Sequence, residues 1–481
     1  MGPKRAPPQG NTSDCLQSET GIRERGHCPL NGGFHVILWS SKAPGRSCPI
    51  STNAILFVYF LYLAFSERLV LTFATEGRGV FPLMSVLLVI VGASLLLSHR
   101  IRKHLSFMTA GRFWLCWGSY AALTTAYPLL GVVIMNYPDR TLMNSVEGMQ
   151  SFALLAIGGY LSSRGPTAMH KVHIVWVGYM LVECIAALGQ IINNHTTAGW
   201  AILEWQATWD QEWQTVFREG IFYGRSIGTH LNPNTLGCGA MLSCIYAISH
   251  FSGSGQVTAF VIALMTLLMS QSRGALFGLS GGIGVLLIVE LFRLLFAGGK
   301  ARGNLNRLSQ PVWIVTVSLL VFLTLRMADL VPDRFVSGVS AITAGAREDE
   351  SFFVRTLVWR EALAFSMSYP LGTLGPPAFL FKSATDSDYV NRYLQGGPIL
   401  LCLFVLVFAG WLVRPRRPVV IDNDRRFLFL ASVSLLICSI GQTPTSYPTF
   451  SIFWMYTGAC LSRRSLIHAS APSGQAKTAP V

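Results

Sequence analysis

Apolar runs close to twenty residues long recur along this chain from Asn53 to about residue 462. A helix needs roughly twenty apolar residues to cross the hydrocarbon core of a bilayer, and a water-soluble core has no use for a dozen such runs. The expected spans are about 52–75, 79–98, 113–135, 147–163, 172–192, 232–250, 256–271, 274–296, 311–326, 396–413, 426–441 and 449–462. Of the 481 residues, 51% are apolar and only 12% charged, where a soluble domain carries about a quarter charged. The chain reads as an all-α integral membrane protein of about twelve transmembrane helices. Glu67 beside Arg68 marks the first span as broken or tilted.

The formal net charge of +14 does not point to nucleic acid, because most of the excess lies in short loops between apolar spans. Arg100, Arg102, Lys103 and Arg112 join spans two and three, and Arg164 and Lys171 join four and five. Arg293, Lys300, Arg302 and Arg307 bracket eight and nine; Arg414, Arg416, Arg417, Arg425 and Arg426 join ten and eleven; Arg463 and Arg464 follow twelve. Simple alternation places all of them on one side, and the positive-inside rule makes that side, with both termini, cytoplasmic. Residues 1–49, rich in Pro, Gly, Ser and charge, read as a disordered basic cytoplasmic tail, 50–465 as the membrane domain and 466–481 as a second disordered tail. The basic start is followed by no apolar core within its first thirty residues, so no secretory signal is expected. Cys116, Cys184, Cys238, Cys244, Cys402, Cys438 and Cys460 fall in apolar spans and read as buried small hydrophobes; no CxxC or metal-ligand spacing occurs.

Alternation leaves two long loops outside, about 193–231 and 327–395. The first carries Trp200, Trp205, Trp209 and Trp213, spaced to line one side of a surface helix, as membrane anchors or as a track for sugar rings. The second is longer than a helix connection needs, which points to function. Within it Glu348–Met367 reads as a helix that stops near Tyr369-Pro370, with Gly372 and Gly375 as turn residues.

Arg225 and Arg273 sit at the ends of apolar segments on the external side, where positive charge is normally scarce. Interfacial anchoring by snorkelling is the plain alternative. Their neighbours argue for more. Asn232, Pro233 and Asn234 are suited to start a helix, and Gln271 and Ser272 precede another near Gly274. Two helix N-termini would each direct free N–H groups and partial positive charge at one aqueous face. Arginine adds a planar fork matched to phosphate oxygens, so a pyrophosphate fits. The second loop supplies Arg355 and Arg360 as further phosphate contacts, or as a solvated helix face paired to Glu348, Asp349, Glu350 and Glu361. Asp386, Asp388, Tyr389 and Asn391 precede span ten, where a carboxylate serves as general base or caps the helix. Glu183 within span five is a functional candidate because ionisable groups are costly in hydrocarbon; a protonated structural glutamate is the alternative. His195 and His230 are external and lack partner ligands, so no metal site is read.

GRSIGTHLNPNTLG, followed by a span and SQSRGALFG, resembles the signature of the O-antigen ligase and polymerase superfamily. RTLVWREALAFSMSYPLGTLG followed by DYVNRYLQGGPILLCLF resembles the closing pattern of that family, so the resemblance covers about 224–405 in order. It implies a GT-C-like membrane glycosyltransferase, inverting and without metal or other cofactor. Such an enzyme acts on undecaprenyl-pyrophosphate-linked oligosaccharide donor and acceptor at the outer face of the cytoplasmic membrane. The bilayer, a chain-length regulator and a flippase are the implied partners. In the family the arginines matching Arg225 and Arg273 contact the donor pyrophosphate, and Arg225, Arg273 and Asp388 are the implied catalytic residues. Asn234, Ser272, Arg355, Arg360, Tyr389, Asn391 and Glu183 are the candidate substrate-binding residues. Ligases carry a histidine in the last long loop, and 327–395 here contains none, with Asp388 near the matching place. That departure favours a polymerase of exopolysaccharide, capsule or O-antigen repeats over a ligase. A lipid-linked oligosaccharide flippase is the reading from another class, but it should show related halves, and none is seen.

Overall fold

The computed structural model describes residues 51–66, 70–73, 79–98, 103–194, 225–230, 232–296, 313–314, 316, 350–375, 380–381, 385–413 and 423–470. The basic N-terminal segment, the four tryptophans, nearly all of the ninth expected span and the first part of the second long loop lie outside them. The chain runs through helices α1 (Thr52–Phe65), α2 (Leu83–Leu97), α3 (Gly111–Ile134, with a π turn at Trp114–Gly118), α4 (Ser145–Ser163), α5 (Pro166–Asn194) and α6 (Pro233–His250). It continues through α7 (Gly253–Ser270), α8 (Arg273–Phe296), α9 (Glu350–Ser366), α10 (Asp388–Leu412), α11 (Asn423–Cys438) and α12 (Ser451–Ser470). Eleven of the twelve expected spans overlap one of these helices, and α9 is the helix expected in the second loop.

Two expectations need correction. The first span is not one helix to residue 75: α1 ends at Phe65, and an antiparallel hairpin follows, β1 (Val70–Phe73) on β2 (Gly79–Pro82), with Val70 opposite Pro82. VLTF and GVFP are rich in β-branched and aromatic residues, so the helical fold carries one small hairpin. At the other end α12 continues to Ser470, past the expected start of the C-terminal tail.

Five helices among the described residues are long and apolar enough to cross a membrane: α3, α7, α10 and the greater part of α5 and of α8. Their side chains are sorted as lipid demands. On α5, Ile174, Leu181, Ile185 and Leu188 are exposed, while Glu183 and Gln190 face inward. An aqueous helix would show the reverse. These features fit a multi-pass membrane protein. The cysteines mostly conform to the expected small-hydrophobe role, but Cys402 is exposed on the outside of α10.

Small residues set the closest helix contacts. A Cβ on Gly158 of α4 would lie 1.9 Å from the Met455 carbonyl of α12, and one on Gly458 of α12 would lie 2.1 Å from the Leu155 carbonyl of α4. The two backbones thus touch over a turn, as glycine permits.

Helix α10 is broken at Gly396 and Gly397, the latter at φ 61°, ψ −159°, just before Pro398. Pro398 has no N–H and its ring crowds the carbonyl four residues back, so Leu394 loses its helical partner. The loop after α9 takes up the freed groups: Thr373 N donates to Leu394 O at 2.7 Å and Leu374 N to Gln395 O at 3.0 Å. Tyr137 Oη holds that loop from outside α3 by donating to Thr373 O at 2.7 Å. The Pro-Leu-Gly-Thr-Leu-Gly and Gly-Gly-Pro segments are therefore two sides of one backbone contact.

The helices alternate in direction. The ends of α5, α7 and α11 and the starts of α4, α6, α8, α10 and α12 gather at one end of the bundle, where the site lies. At the opposite end His250 Nε2 meets Asp424 Oδ1 at 3.0 Å, Arg463 pairs with Asp424 at 2.7 Å, and Lys171 Nζ donates to Asn53 Oδ1 at 2.7 Å.

Candidate functional site

The loop Arg225–His230 lies against one face of α5. Gln190 Oε1 accepts from Ile227 N and Gly228 N, both at 2.9 Å, and its Nε2 donates to Gly228 O at 2.8 Å. One turn away Ser226 Oγ donates to Ala187 O at 2.9 Å. Next along the helix, Glu183 accepts from Thr229 N at 2.8 Å and from Thr229 Oγ1. Tyr179 Oη meets His230 Nε2 at 2.8 Å. Residues 179, 183, 187 and 190 share a helix face because their spacings are three and four. Gly228 sits at φ +63° with its missing Cβ 2.1 Å from Glu183 Oε2, so the tight approach needs glycine twice over.

Held this way, Arg225 points its fork across two other helices. Its Nε donates to Ser270 O, the last carbonyl of α7, at 3.1 Å, and Nη2 donates to Asn234 Oδ1 at 2.9 Å. Asn232 caps α6 by accepting from Asn234 N at 2.8 Å, and Pro233 occupies the first helical position. The turn into α8 is as tight. Gln271 ends α7 at φ 51°, Ser272 N donates to Ser270 Oγ at 3.2 Å, and Arg273, half-buried, opens α8.

The two helix starts are neighbours. Gln442 Nε2 donates to Ser272 Oγ at 2.6 Å and to Asn234 Oδ1 at 3.4 Å, so one buried amide spans them. A Cβ on Gly237 would lie 2.2 Å from Ser272 Cβ, and one on Gly274 would lie 2.8 Å from the Gln442 amide. Arg225 and the N-termini of α6 and α8 therefore meet in one cluster, with Arg273 the first residue of α8, and the positive dipole ends add to the Arg225 charge.

Asp388 lies against the turn that follows α11, residues 439–445, which carries Gln442. It is fully buried, at 0% exposure, in the first turn of α10, whose cap position is Ser387 rather than Asp386 or Asp388. Its N–H is shared between Ser439 O at 3.1 Å and Gln442 O at 3.0 Å. Its carboxylate accepts from Thr445 N at 3.1 Å, Thr445 Oγ1 at 2.7 Å and Ser439 Oγ at 3.4 Å, with Arg392 Nε 4.0 Å away. The surface carboxylate expected from the sequence is thus an enclosed acceptor with its lone pairs in use. Nearby, burial pushes the Tyr447 phenol well above its ordinary value and keeps it neutral.

The other expected residues divide. Arg355 pairs with Asp386 at 3.3 Å and leans over the turn, 3.8 Å from where a Gly441 Cβ would be, so it reaches the rim of the cluster. Arg360 is exposed on α9. Tyr389 Oη donates to Leu436 O at 2.9 Å and joins α10 to α11; Asn391 is half-buried with its N–H on Ser387 O at 2.9 Å. Ser272 and Glu183 are buried and build the site from inside, and His230, expected outside, is buried on Tyr179. Sequence reading missed Gln190, Gln442, Thr445, Arg392 and Glu147. Gln190 carried a readable signal, a second polar residue on the Glu183 face of an apolar helix; Gln442 carried none.

No model of a known protein family matches the chain, and no curated protein matches it.

Proposed function

We propose that this protein is a membrane glycosyltransferase that joins oligosaccharide repeats carried on undecaprenyl pyrophosphate into exopolysaccharide, capsule or O-antigen. The observation that carries the reading is the cluster of Arg225, Arg273 and two helix N-termini bridged by Gln442, at one end of a lipid-facing bundle. Such a cluster suits an anion of pyrophosphate size at the membrane surface. Basic residues Arg112, Arg164, Lys171 and Arg463 lie toward the other end, which supports an external position for the cluster by the positive-inside rule.

The reaction is an inverting displacement. A hydroxyl oxygen of the acceptor sugar bonds to the anomeric carbon of the donor as the carbon–oxygen bond to pyrophosphate breaks. The bonding pair leaves with undecaprenyl pyrophosphate, and the hydroxyl proton is lost to a base. Arg225 and Arg273 stabilise the charge that grows on the leaving group, and the loss of one such donor costs on the order of a hundredfold or more in rate. Asp388, enclosed by Thr445 and Ser439, holds the turn that carries Gln442 and is a positioning residue in this reading.

The test is gel analysis of surface and lipid-linked glycan in a deletion strain complemented with wild type, Arg225→Ala or Arg273→Ala. Single repeats left by both variants support a polymerase. Finished lipid-linked chains that never reach an acceptor would move the assignment to a ligase. Full rescue by both variants would sink the pyrophosphate site and return the flippase reading.

A further inference from the structure

The turn that serves the cationic cluster also serves a second charged group of opposite sign. Thr445, three residues after Gln442, accepts from Arg392 Nη2 at 2.8 Å through its Oγ1. Arg392, only 3% exposed, also donates from Nη1 to Gln395 Oε1 at 2.9 Å and from Nη2 to Glu147, and it lies 5.8 Å over the Tyr120 ring. Its Nε is buried without a hydrogen-bond partner, 4.0 Å from Asp388 Oδ1. One guanidinium thus sits between two carboxylates, and only one of these reaches the surface. Asp388 is closed off, whereas the Glu147 side chain is 34% exposed in the first turn of α4. Arg392 takes Oε1, and no side chain among the described residues hydrogen-bonds Oε2.

A half-exposed carboxylate, fixed by a buried arginine, is a rigid acceptor for hydroxyl groups. It suits neutral sugar better than phosphate, since the excess charge of the group is negative. We propose that Glu147, oriented by Arg392, binds the hydroxyl groups of the acceptor sugar, while the Arg225 cluster holds the pyrophosphate. This rests on the reading of the protein as a glycosyltransferase. The turn 439–450 would then set the spacing of the two subsites, with Gln442 on one and Thr445 on the other.

The full chain in lipid nanodiscs tests this with two probes. Saturation-transfer NMR reads the binding of methyl pyranosides of gluco, galacto, manno and rhamno configuration. A thermal-shift titration reads undecaprenyl pyrophosphate. Glu147→Gln leaves Arg392 an oxygen to bind but removes the charge. It is expected to weaken pyranoside binding by about tenfold or more, as for a hydrogen bond to a charged group, and to leave undecaprenyl pyrophosphate binding as in wild type. Glu147→Asp, which keeps the ion pair and withdraws the carboxylate, is expected to weaken pyranoside binding too and serves if the Gln variant unfolds. The proposal is overturned if wild type binds no pyranoside, or if a folded Glu147 variant binds as wild type does. Failure of the broader reading looks different: undecaprenyl pyrophosphate would not bind, or Arg225→Ala would not weaken it, whatever Glu147 does.

Discussion

Arg225 donates in two directions, to Ser270 O and to Asn234 Oδ1, and a lysine ammonium cannot reproduce that planar fork. Arg225→Lys is therefore expected to lower polymer formation by about tenfold or more despite its retained charge, measured as the ratio of long to single-repeat glycan. At Gly228 the left-handed backbone and the 2.1 Å approach to Glu183 act together. Gly228→Ala should cost roughly 1–3 kcal/mol, seen as a lower thermal midpoint in nanodiscs. Asp388 separates two roles cleanly. As a positioning residue it tolerates Asp388→Asn, which still accepts from Thr445, with activity largely kept; as a base it would lose activity with stability unchanged. Arg225, Asn232, Asn234 and Ser272 were legible in the sequence because caps and misplaced charge are local signals. Gln442 was not, since its value comes from partners 170 and 208 positions away.

Helix α4 meets α12 through two glycines that face carbonyls, and a larger side chain has nowhere to go. Gly158→Leu is expected to separate these helices and leave the protein protease-sensitive after extraction, whereas Gly189→Leu, at a position open among the described residues, should be silent. The break in α10 was legible in part: Gly-Gly-Pro set the expected start of span ten at 396, but the helix begins eight residues earlier at Asp388. Nothing local says that the turn after α9 would satisfy the carbonyls the proline frees. The hairpin after α1 was lost for a related reason, because a window tuned to apolar content does not distinguish strand from helix in a short apolar run.

For the whole molecule, alternation of the helices puts exposed Ser446 at the end that carries Arg225, and exposed Arg164 at the other. With Cys15, Cys28, Cys48 and Cys402 replaced by serine, Ser446→Cys is expected to react with an impermeant maleimide on intact cells, and Arg164→Cys only after permeabilisation. The reverse pattern would refute the external placement of the site. The sequence by itself determined the apolar helices, their alternation and the cationic candidates. Bilayer thickness, backbone hydrogen bonding and loop charge all act over one segment at a time. Only the tertiary structure decided that the starts of α6 and α8 meet, and that Asp388 is sealed while Glu147 reaches the surface. Exposure of a carboxylate depends on what packs over it, and here the deciding contact joins Glu147 to Arg392, 245 positions along the chain.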